Sequence, residues 1–121
     1  MDIDAALQAH LNWTSILMGH ASGASFERID PVTAGKDDHC ELGQWLHHAG
    51  KAELAGRLEY LELLRAHADF HRQAGALLRL TNEGQGERVR ALLQDPFSAF
   101  RLCSAKVVGL LQTLSASPGR A

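Results

Sequence analysis

Two histidines four residues apart, His67 and His71, are the side chains in this sequence best placed to bind a metal ion. On a helix, residues four apart lie on one face, so both imidazoles can reach a single ion. Histidine is the commonest protein metal ligand, and seven of the 121 residues are histidine, which is a high share. Two buried imidazoles that hydrogen-bond to backbone or water would explain the same spacing. The pair therefore needs further ligands before it indicates a metal site.

Two other residues can complete such a site. His10 lies on the apolar face of the first predicted helix, where the alternative is a partly buried, hydrogen-bonded histidine. Cys40 opens a short predicted helix, and a helix N-terminus favours the thiolate that zinc binds. The alternative for Cys40 is a small buried hydrophobic residue. One cysteine and three histidines form the tetrahedral nitrogen and sulfur set that zinc prefers, although copper and nickel also bind imidazole.

The elements that position these residues are predicted to be helices, because leucine and alanine dominate the composition and β-branched residues are few. Apolar side chains recur at steps of three and four residues. This periodicity predicts helices at 2–22, 40–49, 51–81 and 96–115, with a short amphipathic piece at 88–93. The fold class is all-α, a four-helix-type bundle with a short additional helix. We expect residues 1–115 to form the zinc-binding bundle and 116–121 a flexible C-terminal tail.

Capping residues mark where these helices begin. Asp95 fits an N-cap and Pro96 the first helical position of the last helix. Asp37 or Asp38 is expected to cap the 40–49 helix, with the alternative that one of them orients a ligand histidine. Cys103 lies on the apolar face of the last helix and is expected to belong to the core.

Composition excludes several classes of protein. The net charge of −2 gives no basic field for nucleic acid, and the glycines form no phosphate-binding loop. No apolar run approaches the roughly 20 residues that cross a bilayer, so we expect no membrane insertion. The N-terminal residues do not look like a secretory signal. We therefore expect a cytoplasmic protein, whose two cysteines remain reduced.

Three separated motifs resemble those of the chemoreceptor zinc-binding domain family. They are His10-x-x-Trp13, then Cys40-x-Leu42-Gly43-x-Trp45 after 26 residues, then His67-x-x-x-His71 after 21 more. That family is a bacterial cytoplasmic four-helix bundle with a zinc site of three histidines and one cysteine. The resemblance implies that His10, Cys40, His67 and His71 bind Zn²⁺. We assign the other motif positions to packing, with Gly43 permitting a close approach between helices.

The family resemblance also implies a function. Members occur on soluble chemoreceptors and on diguanylate cyclases, and are implicated in zinc-responsive control of cyclic-di-GMP and in sensing oxidants such as hypochlorous acid. A zinc ion closed by four protein ligands is structural rather than catalytic, so we expect no enzyme activity. We expect a homodimeric sensor that responds to zinc or to oxidation of Cys40 and controls an output domain or protein, in the same chain or in trans.

Two other classes of protein compete with a sensor. One is an interaction bundle that zinc merely staples. The other is a small helical metalloenzyme, which would need inward carboxylates at helical spacing with the histidines. His39, His47 and His48 flank or lie on the Cys40 helix. We expect them to be solvated, with hydrogen bonds to the metal ligands or secondary metal sites as the alternatives.

Overall fold

A computed structural model describes residues 3–23, 30–38, 40–54 and 56–116, with side chains described as far as residue 114. All regular structure within these ranges is helical, which confirms the all-α fold. The helices are α1 (Ile3–Ala21), α2 (Pro31–Ala34), α3 (Glu41–His47), α4 (Ala49–Glu53), α5 (Leu58–Asn82), α6 (Gly86–Gln94) and α7 (Ala99–Ala116). The tail predicted at 116–121 lies outside the described residues apart from Ala116, the last residue of α7.

The helices form four columns, where a column is one helix or several consecutive helices that run along the bundle. Helix α1 alone forms the first column, and α5 alone forms the third. The short helices α2 and α3 follow one another along α5, and α4 packs against α3. At one end the Ala34 carbonyl lies 2.9 Å from Nδ1 of His71, and at the other the Tyr60 hydroxyl donates to the Leu46 carbonyl at 2.7 Å. Because residue numbers rise along one column while they fall along the other, this column is antiparallel to α5.

The fourth column consists of α6 followed by α7, and both of these helices contact α1 and α5. Gly86 lies against the Ala21 carbonyl, and Ser104 lies beside His10, with 3.0 Å between Oγ and Nε2. This column is therefore antiparallel to α1. The result is an up-down-up-down bundle in which two of the four columns are broken into shorter helices.

The long helix predicted at 51–81 was wrong at its start, because the chain turns between α4 and α5. Gly56 has a φ of 82°, in the left-handed region that side chains with a Cβ avoid, and Arg57 is extended. The apolar periodicity continues across this turn, because Leu54 and Tyr60 on either side of it are both buried in the same core. Periodicity alone therefore could not locate the break.

The last helix also begins later than predicted. The Asp95 carboxylate accepts the Phe97 N–H at 2.9 Å and forms a turn that contains Pro96. Ser98 then accepts the Arg101 N–H at 3.3 Å on its hydroxyl and caps α7 at Ala99. The Asp95 side chain accepts a backbone N–H, as predicted for an N-cap, but this bond closes a turn that comes before α7.

The core lies between the long helices and contains mainly leucine, valine and phenylalanine. Its most completely buried apolar side chains are Phe70, Phe100, Leu17, Leu46, Leu63, Leu78, Leu93, Leu111, Leu114, Val89 and Val107. In the part of the chain that the structure describes, no helix combines the length and the apolar character needed to cross a membrane.

A glycine on α5 sets the distance between α5 and α2. A Cβ at Gly75 would lie 2.7 Å from the Pro31 carbonyl oxygen and 3.1 Å from Cα of Gly35. The backbones therefore touch, and this contact brings the Ala34 carbonyl within reach of His71 one turn earlier on α5. Asp30 begins α2 by accepting the Val32 N–H at 3.1 Å.

Replacing Gly75 with alanine should separate α2 from α5 and lower the free energy of unfolding by about 1–3 kcal/mol. Gly109→Ala is the matched control, because Gly109 lies on exposed α7 surface with no described atom within 4 Å of the added Cβ. The control should raise stability by about 0.5–1 kcal/mol through helix propensity. Urea unfolding of both variants measures the difference, and equal effects would contradict the close approach.

Candidate metal centre

Three potential ligand atoms converge in the interior. Sγ of Cys40 lies 3.2 Å from Nε2 of His67 and 3.5 Å from Nε2 of His71, and the two nitrogens are 3.0 Å apart. A tetrahedral zinc ion sets its nitrogen ligands about 3.3 Å apart and places sulfur about 3.6 Å from nitrogen. The observed separations lie within about 0.4 Å of these values, so the three residues fit a zinc ion.

The helix α5 presents both histidines inward, one turn apart, with side chains 1% and 3% exposed for His67 and His71. Nδ1–H of His71 donates to the Ala34 carbonyl at 2.9 Å. Because a carbonyl can only accept, this bond leaves the lone pair of neutral His71 on Nε2, which points at the cluster. Nδ1 of His67 is buried and has no hydrogen-bond partner among the described residues.

Cys40 is the N-cap of α3, and its Sγ accepts the Gly43 N–H at 3.3 Å. The cap is thus the cysteine itself and not Asp37 or Asp38. Gly43 is needed because a Cβ there would overlap the carbonyl of Asp37. The close approach predicted for Gly43 is real, but its partner is the backbone of the loop before Cys40 rather than another helix.

Burial keeps the three histidines neutral near pH 7. It lowers the pKa of His10 to about 4 and that of His67 to about 3, with the neighbouring His71 adding to the effect at His67. Burial also lowers the pKa of His71, against the opposing hydrogen bond to Ala34. Neutral imidazole is the form that binds a metal ion, so burial prepares these side chains as ligands.

The Cys40 thiol behaves differently from the expectation that a helix N-terminus would lower its pKa. Burial raises the pKa of Cys40 and outweighs the lowering by the Gly43 N–H. The thiolate therefore depends on a cation nearby, and a coordinating zinc ion deprotonates a thiol outright.

His10 lies in the wall of the site rather than in the three-atom cluster. Its Nε2 lies 3.0 Å from Oγ of Ser104, and its ring centroid is 4.1 Å from that of Phe70. No nitrogen of His10 joins the group of ligand atoms that lie within 4.8 Å of one another. His10 nevertheless lines one cavity of about 50 Å³ together with Cys40, His67 and His71. That volume exceeds the roughly 15 Å³ needed by a water molecule, so one ion fits.

The other histidines near Cys40 do not enter the cluster. Nε2 of His47 pairs with Oδ2 of Asp37 at 3.0 Å, and His48 is exposed. His39 lies outside the described residues. Asp37 thus pairs with a surface histidine and hydrogen-bonds to neither His67 nor His71.

Two hydrogen-bond partners of the candidate site residues were not predicted from the sequence. One is the Ala34 carbonyl, which bonds His71, and the other is Ser104, which bonds His10. A backbone carbonyl carries no signal in a sequence, and a single serine on a helix is unremarkable in composition. Only the position of Ser104 on the inward face of α7, three residues before Val107, hinted at a buried hydroxyl.

Comparison with known families identifies the domain. The family model described as the chemoreceptor zinc-binding domain matches residues 10–78. That segment is more than half of the chain and contains all four residues that the motifs select as ligands. The chain belongs to the chemoreceptor zinc-binding domain family, and zinc is the metal that this domain binds. No curated protein and no solved structure matches the chain.

The pKa shifts predict how the stability of the metal-free protein depends on pH. The folded-state pKa values of about 4 for His10 and about 3 for His67 lie below the unfolded value of 6.5, so the unfolded chain binds more protons. The free energy of unfolding should therefore fall as pH drops from about 6.5 towards 4. Chemical unfolding in the presence of a chelator measures this. His67→Leu should flatten the profile, and an equally steep profile in that variant would contradict the assignment.

Proposed function

We propose that this chain is a zinc-dependent sensory module of bacterial signal transduction in which His10, Cys40, His67 and His71 hold one zinc ion. The observation that carries the proposal is the convergence of Cys40, His67 and His71 in a small, partly open cavity that His10 also lines. These ligands come from three of the four columns. Occupancy of the site therefore sets how α1, α3 and α5 pack together.

The short helix α3 is the element best suited to respond. Its far end is fixed by the buried Leu46, whose carbonyl accepts the Tyr60 hydroxyl at 2.7 Å. Its near end is held to α5 through Cys40, which faces His67 and His71. When bound, zinc supplies the positive charge that these lone pairs share. Without that charge the near end of α3 loses its strongest tie to α5, while the far end stays anchored.

Oxidation of Cys40 is a second route to the same change. The Cys40 side chain is partly exposed, and a zinc-bound thiolate remains nucleophilic. With hypochlorous acid, the sulfur lone pair of the thiolate forms an S–O bond while chloride leaves, which gives a sulfenic acid. The sulfur is oxidised and the chlorine is reduced. The product has lost the thiolate charge, so it binds zinc more weakly.

The cellular setting of this module is part of the proposal. We place it in the cytoplasm as a homodimer that binds no nucleic acid and catalyses no reaction itself, with a diguanylate cyclase or chemoreceptor as its output. The net charge of −2 supports a module without a nucleic-acid partner. Exposed Leu58, Phe97 and Leu102 supply apolar surface that symmetric pairing would cover.

Metal content tests the zinc site. Purified wild-type protein should contain about one zinc ion per chain, and Cys40→Ser should weaken zinc binding more than tenfold, because a thiolate ligand is lost. Cys103→Ser is the matched control, since Cys103 packs against the core and should leave binding unchanged. Mass spectrometry and titration against a chelator provide the measurement. A chain that takes up no zinc would contradict the proposal.

Oxidant-driven release of zinc tests the second route. Hypochlorous acid should release zinc from the wild type and from Cys103→Ser at similar doses. Cys40→Ser, loaded at a zinc concentration above its dissociation constant, should keep its zinc at those doses because the oxidisable ligand is gone. A chromogenic chelator follows the release. Equal release from Cys40→Ser would eliminate Cys40 as the trigger.

The competing function is that of an interaction bundle stabilised by a permanently bound structural zinc ion, here called a staple. The near-complete burial of His67 and His71 favours this function. The two functions differ in zinc affinity. A sensor of zinc availability exchanges its ion with a buffer in the range of free cytoplasmic zinc, whereas a staple retains its ion in the same buffer. Retention combined with insensitivity to oxidant would assign the staple.

A further inference from the structure

His10, the histidine of α1 that lines the metal site, hydrogen-bonds to a residue that no motif contains. Nε2 of His10 lies 3.0 Å from Oγ of Ser104, and the two side chains are 5% and 9% exposed. Ser104 lies on α7, which packs against both α1 and α5. The family match ends at residue 78, so α7 lies wholly outside it. A buried hydrogen bond thus links the C-terminal helix to a residue of the metal site.

This hydrogen bond restricts how His10 can act as a ligand. A neutral imidazole has one nitrogen that carries a proton and one that carries a lone pair. Nε2 of His10 is already engaged with Ser104, so Nδ1 is the nitrogen that remains. The His10 side chain also lines the cavity shared with Cys40, His67 and His71. Binding of a metal without loss of the Ser104 bond therefore requires Nδ1.

Another histidine of the same site uses one ring nitrogen for the ligand cluster and the other for a hydrogen bond to the protein. In His71, Nδ1–H donates to the Ala34 carbonyl at 2.9 Å, and Nε2 lies with Sγ of Cys40 and Nε2 of His67. One nitrogen thus faces the ligands while the other fastens a neighbouring element, α2, to α5. A hydrogen-bond acceptor on the outer nitrogen of a ligating histidine fixes both its tautomer and its ring orientation. Ser104 stands in the equivalent relation to His10.

We propose, building on the four-ligand function above, that Ser104 is a positioning residue of the zinc site. Its hydroxyl accepts the Nε2–H of His10 and directs Nδ1 of His10 to zinc, whereas His67 and His71 bind through Nε2. Because His10 lies outside the 4.8 Å group, we expect its ring to move inward when zinc binds, and the hydrogen bond to Ser104 would carry that movement to α7. The site then joins all four columns, through α7 as well as α1, α3 and α5.

Substitution of Ser104 tests the proposal through zinc affinity. Ser104→Ala should weaken zinc binding about 10- to 100-fold, as the loss of an outer hydrogen-bond partner does, and Ser104→Thr should retain most of the affinity. Ser98→Ala is the matched control, because Ser98 is equally buried on the same column and its hydroxyl accepts the Arg101 N–H. The control should lower the unfolding temperature without changing zinc affinity. Unchanged or tighter zinc binding in Ser104→Ala would overturn the proposal.

A double substitution separates this proposal from the function on which it rests. In a His10→Ala background, Ser104→Ala should cause no further loss of affinity, because Ser104 acts through His10. A further loss of the same size would overturn the positioning role. If His10→Ala alone leaves zinc affinity unchanged, the four-ligand site itself is wrong, and this outcome differs from a failure confined to Ser104.

Nitrogen NMR on the zinc-loaded wild type gives a readout that does not depend on any variant folding. Long-range proton–nitrogen spectra of labelled histidine distinguish a protonated from a metal-bound ring nitrogen. We expect Nε2–H and zinc-bound Nδ1 for His10, and zinc-bound Nε2 for His67 and His71. A zinc-bound Nε2 at His10 would overturn the proposal, because it requires that the Ser104 hydrogen bond be broken.

Discussion

Three potential ligand atoms meet in the interior of this bundle, and the rest of the site depends on satisfying them together. They are Sγ of Cys40 and Nε2 of His67 and His71, which lie 3.0–3.5 Å apart. His71 has no proton to offer the cluster, because its Nδ1–H is committed to the Ala34 carbonyl. Hydrogen bonds satisfy all three atoms only when Cys40 and His67 both direct a proton into the group, and a buried polar atom left without a partner is costly. A single cation satisfies all three atoms at once.

The breaks in the bundle serve this convergence. Cys40 can cap a helix beside α5 only if a helix begins there. The short helix α3 begins there because the column that contains α2, α3 and α4 is broken into separate helices. Gly43 and Gly75 let backbone segments approach more closely than any side chain would permit. The first approach places the loop over the Cys40 end of α3, and the second places the Ala34 carbonyl on His71. Close packing of backbone thus helps to position Cys40 and His71.

The all-α fold and the pairing of His67 with His71 could be predicted from the sequence, because apolar periodicity and a four-residue spacing are local patterns. Cys40 was added through its position at a helix start and through the family motifs, and the role of His10 as a ligand stays a prediction. The break at Gly56 could not be predicted, since leucines and tyrosine on both sides of it face one core and hide it from periodicity. The partners Ala34 and Ser104 could not either, since they act through tertiary contact. The predicted lowering of the Cys40 pKa was wrong. Burial, which no local pattern reveals, raises this pKa by more than the hydrogen bond from the Gly43 N–H lowers it.

In the proposed function, one zinc ion joins elements that the apolar core holds only in part. Zinc-edge X-ray absorption of the loaded wild-type protein most directly tests the proposed ligand set of one sulfur and three imidazoles. We predict one sulfur at about 2.3 Å and three nitrogens at about 2.0 Å, with the ring scattering of three imidazoles. A zinc shell without sulfur, or with only two imidazoles and water oxygen, would contradict the account.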